Sequence, residues 1–385
     1  MRIVAITDKP DRPETALIRG LADREHEISL VSALPQTSLP GELSSVRHVH
    51  HRIPGRISRS TIQLIRKLAN EADIVHCFTG RAVSNAVLAI KGGTPKIIAY
   101  RGTVGHLSKL DPTSWISFLN PKVAAISCVS HAVERYLLGQ GVKPDRLFAI
   151  YKGHDPAWYE AARTTNVEQT RSDIGVPSGA PTGVGLIGVP GAIGQLPLAV
   201  PDGPSGAPIV CFVGNMRPVK GADLLIDAFS ATSLSGGEQP AHLVLVGDIR
   251  DSAVRRAVER SKHAFNIHLL GSRTDAAAIV AASDIFVMPS REREGLPKAV
   301  IEAMLLSKPV IVSDAGGMPE MVTDEESGLV VKANDVSALR NALDRLLADR
   351  ALRERLGAAA RERALTQFSV AKMIEQTEAM YRRVG

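Results

Sequence analysis

At 385 residues the chain is too long for one ordinary hydrophobic core and suits two domains of roughly 150–200 residues each. With 44% hydrophobic and 22% charged residues and a mean hydropathy of +0.03, its composition is that of a soluble globular chain, which excludes a disordered tail and a membrane bundle. Lys and Arg number 46 against 40 Asp and Glu, and the +6 balance favours an anionic partner: nucleic acid, nucleotide phosphate or an acidic membrane surface.

The first apolar run, 3–7, reaches Thr7 and Asp8 with no long hydrophobic stretch behind it, so no signal peptide is expected and the chain reads as cytoplasmic. Strand-like runs rich in Val and Ile follow at 28–33, 46–53, 73–78, 96–100, 124–129 and 147–151, separated by helical patterns such as 16–24 and 131–138. A Gly/Pro-rich stretch after Ile174 interrupts the pattern, which restarts at 209–214 and continues at 242–247, 266–271, 284–289, 309–313 and 328–331. Helix is expected from 336 through 363 and again over 370–383. Alternation of this kind is the mark of parallel α/β architecture, and two Rossmann-like domains facing a cleft is its simplest packing. The expected division is an N-terminal domain over 1–165, a linker or insertion over 166–207, a second domain over 208–368, and a last helix, 369–385, packing back on the first domain.

Charge follows this division. Residues 1–165 hold 22 Lys and Arg against 14 Asp and Glu, a local +8, with eight of the eleven histidines, and the rest of the chain is −2. Cys77, Cys128 and Cys211 lie apart in apolar runs with no CxxC pair, as reduced core thiols do. Between Glu42 and Glu71 stand six cations, three histidines and no acid, with Ile57, Ile62, Ile65 and Leu68 at roughly helical spacing. Two readings of this segment, 43–70, stay open: a basic amphipathic surface docking on anionic lipid, or a solvated helix packing its apolar stripe on the sheet.

Gly183-Val-Gly-Leu-Ile-Gly188 matches GxGxxG in form, but Pro190, Gly191, Gly194 and Pro197 forbid the helix that a dinucleotide fingerprint requires. The informative stretch is 283–320. A strand ends at Ser290, a loop carries Glu294 and Gly295, and a helix starting near Pro297 carries Glu302. Both carboxylates can then face a ligand at a helix N-terminus, where free N–H groups favour phosphate. A second loop, Gly214-Asn-Met-Arg-Pro-Val-Lys220-Gly221, places Arg217 and Lys220 after a strand, as a diphosphate would require.

These residues resemble the retaining glycosyltransferases of GT-B fold, and specifically glycosyltransferase family 4. The likeness rests on Glu294-x7-Glu302, on Gly214-x5-Lys220-Gly221, on the Gly316-Gly317-x-Pro319-Glu320 turn, and on Ser127-Cys-Val-Ser130, Gly141-Val-Lys-Pro-Asp145 and Tyr151-Lys-Gly-His-Asp155. It implies transfer of a sugar from a nucleotide-sugar donor with retention at the anomeric carbon. Lys220 would then bind the donor diphosphate, with Arg217 assisting, Glu294 would contact the sugar hydroxyls and Glu302 would hold the ribose. Gly214, Asn215, Gly295, Leu296, Pro297 and Gly317 would complete the donor site. The donor is expected to be a UDP- or GDP-sugar, used as substrate with no cofactor, and the absence of an Asp-x-Asp pair agrees with a metal-independent site.

The family's Arg after the phosphate-loop glycine is Asn215 here, its Gly-Gly loop after the first strand is replaced by residues 8–14, and its histidine after the middle N-terminal strand is Arg101. Arg12, Glu14, Arg101 and His106 are the candidates for the acceptor side, with Arg101 near the chemistry. The expected acceptor is a cell-envelope glycan such as lipopolysaccharide core or a lipid-linked saccharide. An anionic membrane surface is a candidate partner, giving a peripheral place on the inner face of the cytoplasmic membrane, and nucleic acid is not expected. The rival readings are a nucleotide-sugar epimerase of the same fold and a non-enzymatic nucleic-acid-binding protein, the latter lacking aromatic stacking runs.

Overall fold

A computed structural model describes residues 1–176, 206–233 and 240–385. The formal GxGxxG match and most of the expected linker lie outside the described residues. Contacts divide the chain into two units, Met1–Asp155 with Gln367–Gly385, and Pro156–Thr366.

The first unit holds β1 (Arg2–Ile6), β2 (Glu27–Ser32), β3 (Arg47–His50), β4 (Ile74–Cys77), β5 (Lys96–Arg101), β6 (Val123–Cys128) and β7 (Leu147–Ala149), all parallel, in the order β3-β2-β1-β4-β5-β6-β7. The second holds β8 (Ile209–Val213), β9 (His242–Val246), β10 (Ile267–Gly271), β11 (Ile285–Met288), β12 (Val310–Ser313) and β13 (Leu329–Val331), again parallel, as β10-β9-β8-β11-β12-β13. All thirteen expected runs form strands. Near-continuous Val, Ile and Leu suits strands covered on both faces, and β4, β9, β11 and β12 are buried along their whole length. Each sheet reverses its winding beside its first strand, between β1 and β4 and between β8 and β11. In open α/β sheets ligands bind at such a switch point, beyond the carboxyl ends of the strands.

Helices start where short polar side chains cap them. Ser58, Thr79 and Ser130 accept from the third residue on, and Asp11 accepts from Glu14 N, so the first helix runs Arg12–Ala22 rather than from residue 16. The helix expected over 336–363 is two helices, Val336–Ala348 and Arg350–Gln367. Asp349 adopts an extended backbone between them and accepts from Leu352 N at 2.9 Å. The last helix, Val370–Val384, buries Met373, Ile374, Met380 and Tyr381 in the core of the first unit, against Leu17, Ile18 and Leu21. Tyr381 Oη and His76 Nδ1, both buried, lie 2.7 Å apart, and Glu378 accepts from Arg24 at 2.7 Å. No helix among the described residues is long and apolar enough to cross a membrane.

Candidate functional site

In the second unit, the loops leaving β8 and β11, the two strands of the switch point, carry the sequence-predicted donor residues. Beyond β8 the chain passes through Gly214, Asn215 and Arg217 into a short 3-10 turn, Pro218–Lys220, and then the helix Ala222–Ser230. Gly221 joins them at φ +67, and a Cβ there would overlap the carbonyl oxygen of Pro289 at the end of β11. Only glycine lets the two loops approach this closely.

The approach puts charge on charge. Lys220 Nζ donates to Glu294 Oε2 at 2.8 Å, and Ser290 Oγ donates to the same oxygen at 3.2 Å. Both side chains of the pair are largely enclosed, 18% and 14% exposed. The Gly316-Gly317 turn after β12 closes the third side: Gly317 N donates to Glu294 O at 3.0 Å, and Gly316 has φ +60 with any Cβ overlapping that same carbonyl.

Arg291 ties the loops together. Its backbone N–H donates to Val219 O (2.8 Å), its Nε to Pro218 O (3.1 Å), its Nη2 to Asp223 Oδ2 (2.6 Å) and its Nη1 to Asn334 Oδ1 (2.9 Å). Four bonds from one planar fork and its own backbone hold the Lys220 turn in register with the Glu294 loop. Arg293, next but one, takes a left-handed φ of +59.

Gly295, Leu296 and Pro297 are buried and lead to the helix Lys298–Leu305, with Pro297 at its N-cap. The N-terminal end of that helix carries the positive pole of its dipole and suits an anion. Glu302 is half-buried within this helix. Asn215 and Arg217 are exposed. The structure therefore brings Lys220, Glu294 and the Gly316–Gly317 turn together, and sets Arg217 in solvent beside them. A cavity of about 690 Å³ is lined by Arg171, Asp284, Lys308 and Arg353 and lies at the opposite ends of the same strands, where Pro208, Ser283 and Pro309 lead into β8, β11 and β12. The candidate site is the strand-end constellation, because that is where close backbone approach and paired charge coincide.

In the first unit the four acceptor candidates do not converge. Arg12 and His106 are exposed, His106 with φ +65. Arg101 is half-buried and committed to its own loop: Nε donates to Thr103 O at 3.0 Å, Nη2 to Gly105 O, and the guanidinium lies 4.9 Å from the Phe118 ring centroid. Glu14 turns inward, accepting from Lys152 Nζ at 3.0 Å and from Thr7 Oγ1 at 3.1 Å, and Asp11 accepts from the same lysine at 2.7 Å. Burial, opposed by Lys152 and aided by Asp11, raises the Glu14 carboxyl. Burial also works against the charge of Lys152, but Tyr100, whose ring centroid is 5.0 Å away, and the two carboxylates outweigh it and hold the ammonium above its ordinary range. Lys152 and Arg291 are what sequence reasoning missed. Both stand three residues past a strand, the one available signal.

Known proteins resemble the chain in both units. Residues 15–158 match the family model described as Glycosyltransferase Family 4, and residues 207–349 that described as Glycosyl transferases group 1. The alpha-maltose-1-phosphate synthase of Mycolicibacterium smegmatis is 33% identical over 193 residues, covering 46% of this chain and 48% of that protein. A GDP-mannose-dependent monoacylated alpha-(1-6)-phosphatidylinositol monomannoside mannosyltransferase of Corynebacterium glutamicum is 36% identical over 172 residues, 42% and 44% of the two chains. The chain thus spans about half the length of these curated relatives. Among solved structures, a glycosyltransferase from Rickettsia africae ESF-5 superposes with a TM-score of 0.78 at 18% identity over 100% of this chain and 98% of that one. Anabaena Alr3699/HepE in complex with UDP gives 0.75 at 18% identity over 98% and 99%. At such identities the likeness is one of fold, and that fold is GT-B.

Proposed function

Because the chain belongs to the group 1, family 4 glycosyltransferases, we propose that it moves a sugar from a nucleotide-sugar donor to an acceptor hydroxyl, with retention at the anomeric carbon and without a metal ion. The observation that carries this reading is the enclosed Lys220–Glu294 pair at the switch point of the second sheet, beside a helix N-terminus.

The chemistry follows from the charges. A donor diphosphate is attracted to the Lys220 ammonium and to the positive end of the helix Lys298–Leu305. Once the phosphate takes Lys220, Glu294 is released from its ion pair, and its carboxylate becomes available to accept hydrogen bonds from sugar hydroxyls. Glu302, on the same helix, is assigned to the ribose. As the glycosidic bond of the donor breaks, negative charge grows on the departing diphosphate, and the cation and N–H dipoles already aimed there stabilise it in a water-poor site.

The donor is a UDP- or GDP-sugar. A GDP-mannose-dependent relative and a structural neighbour in complex with UDP support that class. The acceptor is assigned to the cell envelope, as a glycan or lipid-linked saccharide. Support comes from the +8 balance of the N-terminal residues, from the phosphatidylinositol mannoside acceptor in one relative's name, and from a structural neighbour, WaaG, described as involved in lipopolysaccharide biosynthesis. Radiolabelled UDP- and GDP-sugars incubated with the protein and a panel of envelope lipids and lipopolysaccharide cores test the assignment. An acceptor-dependent labelled product supports transfer, and a new donor epimer formed without acceptor would replace it with epimerisation.

A further inference from the structure

The basic segment 43–70 has a neighbour in the folded chain that sequence order conceals. Helix Arg59–Ala69 buries Thr61, Ile65 and Leu68, so its apolar stripe belongs to the core and is not itself a docking surface. Ile57, just before it, is 60% exposed among the exposed cations Arg52, Arg56 and Arg59. Asn85, in the helix Gly80–Ala89, holds this turn. Its Nδ2 donates to Gly55 O at 3.3 Å and Arg56 O at 3.1 Å, and its Oδ1 accepts from Ser58 N at 2.8 Å.

The N-terminal end of that same helix carries the segment 108–118, because Gly80 packs under the Phe118 ring, 3.5 Å from where a Cβ would stand. Here Leu110 is 93% exposed and Trp115 48%. Neither sits on a loose loop. Trp115 Nε1 donates to Lys109 O at 2.8 Å, Leu110 N donates to Ser108 Oγ at 3.2 Å, and Asp111 accepts from Thr113 N at 2.9 Å. The Thr113 bonds hold the Asp111 carboxyl below its ordinary range, and the two segments are neighbours because both are held by the one helix Gly80–Ala89, through Asn85 and Gly80. Asp111 is the only acid in 52–59 and 108–115 together.

Singly exposed apolar side chains are ordinary. Three large ones on adjoining, internally braced turns among four cations are not. An indole with its N–H satisfied suits the headgroup level of a bilayer, Leu and Ile suit the acyl boundary beneath it, and Arg and Lys suit lipid phosphates. We propose that Ile57, Leu110 and Trp115, with Arg56, Arg59 and Lys109, form a surface that docks the N-terminal unit on an anionic bilayer. The proposal does not depend on the transfer reading, since docking is measured without donor or acceptor.

The chain contains two tryptophans, so a Trp158→Phe variant makes Trp115 the sole indole reporter. With vesicles of phosphatidylcholine containing phosphatidylglycerol, the protein is expected to float, Trp115 emission to shift to shorter wavelength, and brominated acyl chains to quench it. With phosphatidylcholine alone none of these occurs. In the wild-type chain, Arg56→Gln with Arg59→Gln lowers the partition coefficient about thirtyfold, at roughly one kcal/mol for each cation removed. Leu110→Ser weakens partitioning with an unchanged circular dichroism spectrum. Absence of phosphatidylglycerol-dependent flotation, or flotation with Trp115 emission unshifted and unquenched, would overturn the proposal.

Discussion

Lys220 Nζ and Glu294 Oε2 meet at 2.8 Å although 74 residues separate them in the chain. The relationship exists because parallel winding places β8 beside β11 and a glycine at 221 lets the loops beyond them touch. An enclosed ion pair contributes little to stability in itself, since desolvation offsets its attraction. Its role is to keep a cation and a carboxylate in place until a donor separates them.

Lys220→Ala is therefore expected to lower kcat for sugar transfer by about 10²–10³-fold, the loss seen when a preorganised charge-stabilising donor is removed. Thermal stability should fall as well, because the largely enclosed Glu294 carboxylate is left without its cation. Initial-rate kinetics beside a melting curve check both statements, and a normal kcat or an unchanged Tm would contradict the corresponding one.

Arg291 acts one step back from the chemistry. Replacing it with Ala removes bonds to Pro218, Asp223 and Asn334 at once, so donor affinity should fall about tenfold or more, with a smaller effect on kcat. Asp223→Ala should weaken binding less, and the double variant should show less than the sum of the two losses. Calorimetric titration of the donor into the four proteins gives the coupling.

Gly316 supports Glu294 from beneath at a positive φ. Gly316→Ala is expected to cost about 1–3 kcal/mol from the backbone conformation, with further loss from the overlap with Glu294 O, and to weaken donor binding. Gly139→Ala is the matched control. It ends the helix His131–Gly139 with nothing within 4 Å of its would-be Cβ, and should be neutral or slightly stabilising.

A pH effect follows from two buried histidines in the second unit. His242 Nδ1 and His268 Nε2 are 2.9 Å apart with stacked rings. Burial, reinforced by His268 and Arg171, lowers His242 to about 3, and burial lowers His268 to about 4. The unfolded chain, with ordinary values near 6.5, binds more protons in this window, so stability is complete above pH 6.5 and declines as pH falls from there toward 4. A His242→Gln, His268→Gln double variant should show a flatter Tm profile between pH 6.5 and 4, and an identical slope would contradict the assignment.

What the sequence made legible is whatever depends on neighbours along the chain. Strand runs announce themselves through Val and Ile, and the positions of Lys220 and Glu294 follow from strand ends and loop glycines. Pairings across the chain were not legible. Glu14 reads as an open-loop carboxylate until Lys152, 138 positions later, is found turned onto it. Arg101 reads as a cleft residue until the carbonyls of Thr103 and Gly105 are seen to engage it. The apolar stripe of residues 59–69 admits a lipid-facing or a core-facing reading, and packing decides for the core. Asp349 is a similar case: a cap that ends one helix and starts another looks, in sequence, like a solvated helical acid.

The central claim is that the second unit binds a nucleotide diphosphate-sugar through Lys220 and Glu294. Isothermal titration of UDP-glucose, UDP-N-acetylglucosamine and GDP-mannose into the wild-type chain, Lys220→Ala and Glu294→Gln tests it most directly. The account predicts saturable one-to-one binding of at least one sugar nucleotide, weakened tenfold or more in Lys220→Ala, and a preference for sugar nucleotide over free UDP or GDP that is lost in Glu294→Gln. Binding unaffected by both substitutions, or no binding of any sugar nucleotide to the folded wild-type protein, would contradict it.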